Sequence, residues 1–388
     1  MTDRKTGTET KLVTGGRRKE WRGRLVNVPV ERASTILFDN VDELRKARPG
    51  LGQHNYGLQG TATHWALSEA LTELEPGGAG TALYSSGLAA ITGALLAVLS
   101  AGDELLVVDS VYGPTRKFCD TILKRLGIGV QYYDPMVGSA IAEFFTDRTR
   151  AILLESPGSL TMEVQDVPAI CAAARERGIV TLLDNTWASP FLFPALAAGV
   201  DISILALSKY VGGHSDVMLG AATASAAHFA HLQKTGWDLG HSVSPDDAWL
   251  GSRGLRSLAV RLRQHEESAL KIAHWLKEQP QVGLVLHPAL PDCPGHELWK
   301  RDFKGSSGLL SFELKDADVK RRAAFVDSLE LFGIGFSWGG YESLVLPVDP
   351  VRTVSKAPAG NLVRLHIGLE DPDDLIADLA AAFAQVGR

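Results

Sequence analysis

The chain has 388 residues, of which 45% are hydrophobic and 22% charged, with a formal net charge of −6. This length and balance describe a soluble globular protein of roughly two or three domains around a large buried core, and the acidic charge excludes the electrostatic footprint of a nucleic-acid binder. Three cysteines, Cys119, Cys171 and Cys293, stand far apart without CxxC spacing, so neither a disulfide framework nor a zinc site is implied.

Residues 1–57 are rich in Arg, Gly and Pro and carry no strong period, so they read as an N-terminal arm. The run "RRKEWRGR" within them is a solvated face rather than a phosphate-binding patch. The opening "MTDRKTGTETKLVTGG" lacks the apolar core of a signal peptide, which with the cysteine usage points to the cytoplasm.

From residue 58 to 250, short apolar runs alternate with helical patterns, the signature of a mainly parallel sheet with helices on both faces. Ser85-Ser86-Gly87 precedes a helix that opens at about Leu88. Strands follow at "DELLVVD", "GVQYYD", "RAILLES", "IVTLLDN" and "DISILALSK", with helices at "TRKFCDTILKRLG" and "VPAICAAARERG" between them. The strands are continuous apolar runs, as buried parallel strands are. The best membrane candidate, "FLFPALAAGVDISILAL", is broken by Pro194, Gly199 and Asp201 and reads as helix, turn and strand. Residues 251–388 change character. A long helical pattern at "SRGLRSLAVRLRQHEESALKIAHWLKEQ" gives way to strands at "GLVLHP", "GLLSFEL" and "NLVRLHIGL", with helices at "KRRAAFVDSLELF" and "DDLIADLAAAFAQV". The pattern is that of a smaller α+β domain.

Ligands of such sheets bind at the carboxyl ends of the strands. Polar residues collect there: Asp109 to Tyr112, Glu155 to Ser159, Asp184-Asn185 and Ser208-Lys209. Ser85-Ser86-Gly87 at a helix N-terminus offers free N–H groups and a positive dipole end to a phosphate, although on this motif alone a plain serine N-cap is the favoured account. Asp184 and Lys209 are 25 residues apart (209 − 184), about one crossover unit, so they can occupy neighbouring strand ends. A lysine for a Schiff base, an aspartate to keep a ring nitrogen protonated and a phosphate cradle together match the needs of pyridoxal phosphate. The pairs His228 and His231, His265 and His274, and His214 with Asp216 supply no three convergent ligands, so no metal is expected.

The phrases "ESPGSLTMEVQDVPAI", "LLDNTWASP", "SKYVGGHSD", "GHELWKRDFKGSSGLLSF", "SWGGYESL" and "VRLHIGLED" resemble the β-lyase branch of the Cys/Met-metabolism family of pyridoxal phosphate enzymes. The resemblance runs from about residue 31 to the C-terminus. It implies the fold of aspartate aminotransferase (fold type I) with a sheet of the seven-stranded type, and a carbon-sulfur lyase that splits L-cystathionine by β-elimination. By the same resemblance Lys209 holds the cofactor as a Schiff base, Asp184 pairs with the ring nitrogen and Tyr112 stacks on the ring. Gly87, Leu88 and Ser208 hold the phosphate, and Arg364 clamps the substrate carboxylate in a pocket lined by Ser337, Trp338 and Ser159. Tyr56 is expected to reach in from a neighbouring subunit, which implies a homo-oligomer, commonly a dimer of dimers.

This chain departs from the family at three places. Leu58 stands where an arginine usually grips the phosphate from the adjacent subunit, and Ala206 stands where serine is frequent. Trp237 replaces a tyrosine expected near the distal end of the substrate. A γ-acting relative is the nearest alternative, with Ser159 standing where such members usually carry asparagine. A regulatory module without catalysis is the alternative from another class.

Overall fold

The structure is a computed structural model and describes residues 6–386. Residues 1–5 of the expected arm lie outside the described residues. Seven strands build the larger sheet: β1 (Gly80–Tyr84), β2 (Glu104–Val108), β3 (Gly129–Tyr133), β4 (Thr149–Glu155), β5 (Val180–Asp184), β6 (Ile202–Ala206) and β7 (Gly220–Ala224). Their order is β1-β7-β6-β5-β4-β2-β3, with β2 to β6 mutually parallel and β7 antiparallel to both β1 and β6. Since β1 and β6 both oppose β7, they run the same way. The helix Gly87–Val98, which follows β1 after two residues, therefore opens on the rim where β2, β4, β5 and β6 end.

All five residues of β2 are buried, because helices cover both faces of the sheet. β1 and β7 have no counterpart among the strands expected from sequence. "GAATA" at β7 has a single β-branched residue, Thr223, among glycine and alanines, and it pairs because it lies sandwiched between β1 and β6.

The smaller sheet takes β8 (Val282–Leu286), β9 (Leu309–Leu314), β10 (Gly333–Ile334), β11 (Leu344–Val348) and β12 (Leu362–His366) in the order β10-β11-β12-β9-β8. The long helical pattern after residue 250 is two helices, Pro245–Leu255 and Leu258–Lys277, broken at Arg256 and Ser257. Ser257 leaves the helical backbone region (φ −107°), while Arg256 turns its guanidinium onto the carbonyls of Leu12 (2.7 Å) and Gly15 (3.1 Å). The helix Pro245–Leu255 thus spans the 250/251 boundary drawn from composition, and it packs on the helix Ala62–Leu74. Leu258–Lys277 buries Leu262, His265, Ala269, Ile272 and Leu276, spaced three or four apart; Leu262 joins the core of the larger sheet, and Ala269, Ile272 and Leu276 that of the smaller one.

The arm is not uniform. Thr8–Thr14 forms a helix whose Leu12 is buried against the same chain, whereas much of 33–56 is exposed.

Tyr210 joins the two sheets. Its buried hydroxyl accepts the amide of Gly308, just before β9, at 2.9 Å, and Arg261 donates to the Tyr210 carbonyl at 2.7 Å. The substitution Tyr210→Phe leaves the Gly308 amide without a partner and is expected to cost about 1–3 kcal/mol, read as a lower urea midpoint at unchanged slope. An unchanged midpoint would show that the bond contributes nothing to holding the sheets together.

Candidate active site

Lys209 follows β6 by three residues, in a turn closed by the amide of Gly213 donating to the Lys209 carbonyl at 2.8 Å. The loop 337–340, between β10 and β11, lies directly on this turn. Gly339, at φ +87, passes so close that a Cβ there would meet the Tyr210 nitrogen at 2.7 Å and the Lys209 carbonyl carbon at 2.8 Å. Only glycine fits that approach, which explains the first glycine of "GGYE". Ser337, at φ +97, receives the Lys209 ammonium on its hydroxyl at 2.5 Å, and Lys209 Nζ also stands 5.4 Å from the centre of the Trp338 ring.

Burial pushes the Lys209 amine down to about 8; the nearby charge of Arg364 adds to the shift and Asp184 opposes it. Arg364, on β12, donates to the Ser337 carbonyl at 2.9 Å, and burial lowers its guanidinium to about 10.

Asp184 ends β5 opposite Ile204 of β6. Its Oδ1 accepts both the amide and the hydroxyl of Thr186, at 3.1 and 2.5 Å. The same hydroxyl oxygen accepts the amide of Ala206 at 2.9 Å. Thr186 therefore ties the aspartate to the end of β6, three residues before the lysine. Burial raises the Asp184 carboxyl above its ordinary value, while the Thr186 bonds and Lys209 hold it down.

Glu155 lies beside Asp184 in register across β4 and β5. Burial, with the charge of Asp184 adding to it, holds its carboxyl well above the ordinary carboxylate range. It accepts the amide of Tyr112 at 2.7 Å and so fixes that backbone on the rim. The Tyr112 ring is 44% exposed, so its face is open to a ligand.

The phosphate cradle expected from sequence is a helix N-terminus closed on one side. Ser86 caps the helix through its hydroxyl, which accepts the Ala89 amide at 3.1 Å. The Gly87 and Leu88 amides belong to the first turn, which has no intrahelical acceptors. A Cβ on Gly87 would stand 2.4 Å from the Cβ of Ala206, so the helix start is pressed onto β6 at the position where the family often has serine. Ser208 uses its hydroxyl on the residue before β7, accepting from the Leu219 amide (2.9 Å) and donating to the Leu219 carbonyl (3.2 Å). Amine, carboxylate, open aromatic face and free amides on one rim are a donor set that fits pyridoxal phosphate.

The structure brings Lys209, Asp184, Tyr112, Arg364, Ser337 and Trp338 together through these contacts. Ser159 sits nearby, its amide donating to the carbonyl of Ser110 at 2.9 Å. Tyr56 and Trp237 make none of these contacts within the chain. Tyr56 is 50% exposed, and Trp237 lines a cavity along the edge strand β1 together with Leu58. His214 belongs to the turn after the lysine, its Nδ1 2.8 Å from the Gly212 carbonyl. Sequence reasoning missed Thr186, although its place two residues after Asp184 in "DNT" is the spacing at which a hydroxyl can reach back to an aspartate.

A family model described as Cys/Met metabolism PLP-dependent enzyme matches residues 9–384. The chain is 46% identical over 397 residues to the cystathionine beta-lyase of Escherichia coli, covering 100% of each. It is 44% identical over 388 residues to the cystathionine beta-lyase of Haemophilus influenzae, covering 97% of this chain and 98% of that one. Among solved structures, the cystathionine gamma synthase of Xanthomonas oryzae pv. oryzae, in complex with aminoacrylate and cysteine, superposes with a TM-score of 0.90 at 33% identity and covers 99% of each chain.

In the Thr186→Val variant the Asp184 carboxyl loses a bond to its charged form, so its titration moves to higher pH, while Thr186→Ser stays near the parent. Carboxyl carbon-13 NMR of labelled aspartate follows this directly. A valine variant that titrates like the parent would remove Thr186 from the site.

Proposed function

Because the chain belongs to the Cys/Met metabolism PLP-dependent enzyme family, we propose that it splits L-cystathionine and water into homocysteine, pyruvate and ammonia by β-elimination, as a step of methionine biosynthesis. One observation carries the reading: a lysine amine lowered by burial stands at the strand end next to an aspartate, with Arg364 and Ser337 over it. The full-length identity to proteins named β-lyases, higher than that to the γ synthase, favours cleavage at the β carbon.

Bound at Lys209, pyridoxal phosphate supplies a carbonyl that links to amines and a ring that accepts the electrons of Cα and returns them to expel the β sulfur. Asp184, its carboxylate held in place by Thr186, would keep the proton on the ring nitrogen. Tyr112 would offer its face to the ring, and the amides of Gly87 and Leu88 with Ser208 would take the phosphate. Arg364 receives the α-carboxylate in a two-pronged fork that a lysine could not offer. Its Nη2 bond to the Ser337 carbonyl fixes the guanidinium plane, and Ser159 and Trp338 wall the pocket. The free amine of Lys209 would take the Cα proton, since an amine lowered to about 8 is partly neutral at pH 7 and can act as a base.

Tyr56 reaches the site from a second copy of the chain, which makes the working unit a homo-oligomer, a dimer of dimers. Its exposure, with no contact to the Lys209 cluster of its own chain, supports this. Trp237 faces the distal part of the substrate from the β1 edge. The enzyme works in the cytoplasm, a reading supported by three cysteines that are all free and buried.

Purified protein given L-cystathionine and pyridoxal phosphate should release pyruvate and homocysteine in equal amounts; 2-oxobutyrate in their place would overturn the β assignment. Lys209→Ala should lower kcat by about 10²–10⁴-fold, the usual weight of a positioned general base. Full turnover in that variant would exclude the lysine.

A further inference from the structure

The connection from β11 to β12 leaves the smaller sheet as a strap, residues 349–355, and docks on the ends of β2 and β4. The sequence does not single it out. Asp109, fully buried at the end of β2, accepts the amides of Thr353 (2.9 Å), Val354 (2.9 Å) and Ser355 (3.0 Å), the hydroxyls of Thr353 (2.8 Å) and Ser355 (3.2 Å), and Nη2 of Arg116 (2.6 Å). Burial alone would raise this carboxyl, yet those donors hold it below the usual carboxylate range.

Arg352, in the same strap, donates through Nη2 to Thr161 Oγ1 at 2.5 Å and to Glu163 Oε1 at 2.6 Å. Both side chains of that ion pair are buried. Thr161 Oγ1 lies 3.2 Å from the Ser159 carbonyl and 2.5 Å from Glu163 Oε2, and the Glu163 carbonyl accepts the Gly158 amide at 2.8 Å. The loop so gripped holds two residues that rarely adopt a left-handed backbone, Leu160 (φ +67) and Met162 (φ +62). Such a backbone persists only where its surroundings impose it.

We propose that the strap is a latch from the smaller sheet and that Arg352 is a positioning residue for the substrate carboxylate. Through Thr161 and Glu163 it sets the loop that presents Ser159, and through its neighbours on Asp109 it sets the backbone that leads to Tyr112. This rests on the β-lyase reading for its assay. Because the pair is buried, removing one partner strands the other charge, so the test uses Arg352→Met, the double variant Arg352→Met with Glu163→Gln, and Arg352→Lys.

The Arg352→Met change is expected to raise KM for cystathionine about tenfold with kcat within about twofold and the visible absorbance of the bound cofactor unchanged. The double variant should regain thermal stability but keep the high KM, and Arg352→Lys should recover part of the affinity. In the same proteins, hydrogen exchange of the Gly158 and Ser159 amides should quicken in Arg352→Met. An unchanged KM, or a double variant with parental KM, overturns the latch; so do unchanged exchange rates, which are read without any turnover. Absence of turnover in the parent protein would instead overturn the proposed reaction.

Discussion

Lys209 and Asp184 share a rim where water solvates neither ion well, and the rest of the structure serves to keep them there. Desolvation acts on both in the direction of neutrality, lowering the amine and raising the carboxyl, while each supports the charge of the other. Such a pair is unstable unless further bonds fix it. Thr186 provides them on the carboxylate side by joining Asp184 to the Ala206 amide, and the Ser337 hydroxyl provides them on the amine side. The parallel pairing of β5 with β6 sets Asp184, the last residue of β5, beside the turn that carries Lys209.

The second layer of control comes from the smaller sheet. Its loop 337–340 rests on the backbone of Lys209 at Gly339, its β12 carries Arg364, and its strap ties the ends of β2 and β4 through Asp109 and Arg352. Three separate segments of one sheet thus converge on the strand ends of the other. Tyr210, buried between them, makes the position of the lysine turn depend on both. The larger sheet leaves Ala206 as an apolar surface at the start of the Gly87 helix. Ala206 packs against Gly87 there, so the fit of that helix start against β6 is set by shape.

Much of this was legible in the sequence. Continuous apolar runs ending in Asp109, Glu155, Asp184 and Lys209 announced a parallel sheet with chemistry on one rim, because burial on both faces forbids alternation. What escaped notice had weak local signals. β7 is "GAATA", made a strand by its neighbours and not by its own preferences. The break at Ser257, which leaves the helical backbone region, hides inside a helical period. The strap carries no regular period at all. Its Arg352 acquires meaning only when Glu163 lies beside it, and a contact of that sequence separation cannot be read from either segment alone. Trp237 is a case of the opposite kind: a residue singled out by resemblance stands at the β1 edge with Leu58, apart from the contacts that gather around Lys209.

The covalent anchor is the centre of the account. The most direct test is reduction of the cofactor-loaded protein with borohydride, followed by proteolysis and mass spectrometry of every lysine-containing peptide. The account predicts a pyridoxyl phosphate mass on Lys209 alone, in the peptide that contains "SKYVGGHSD". The same mass on another lysine, or on none, would contradict it.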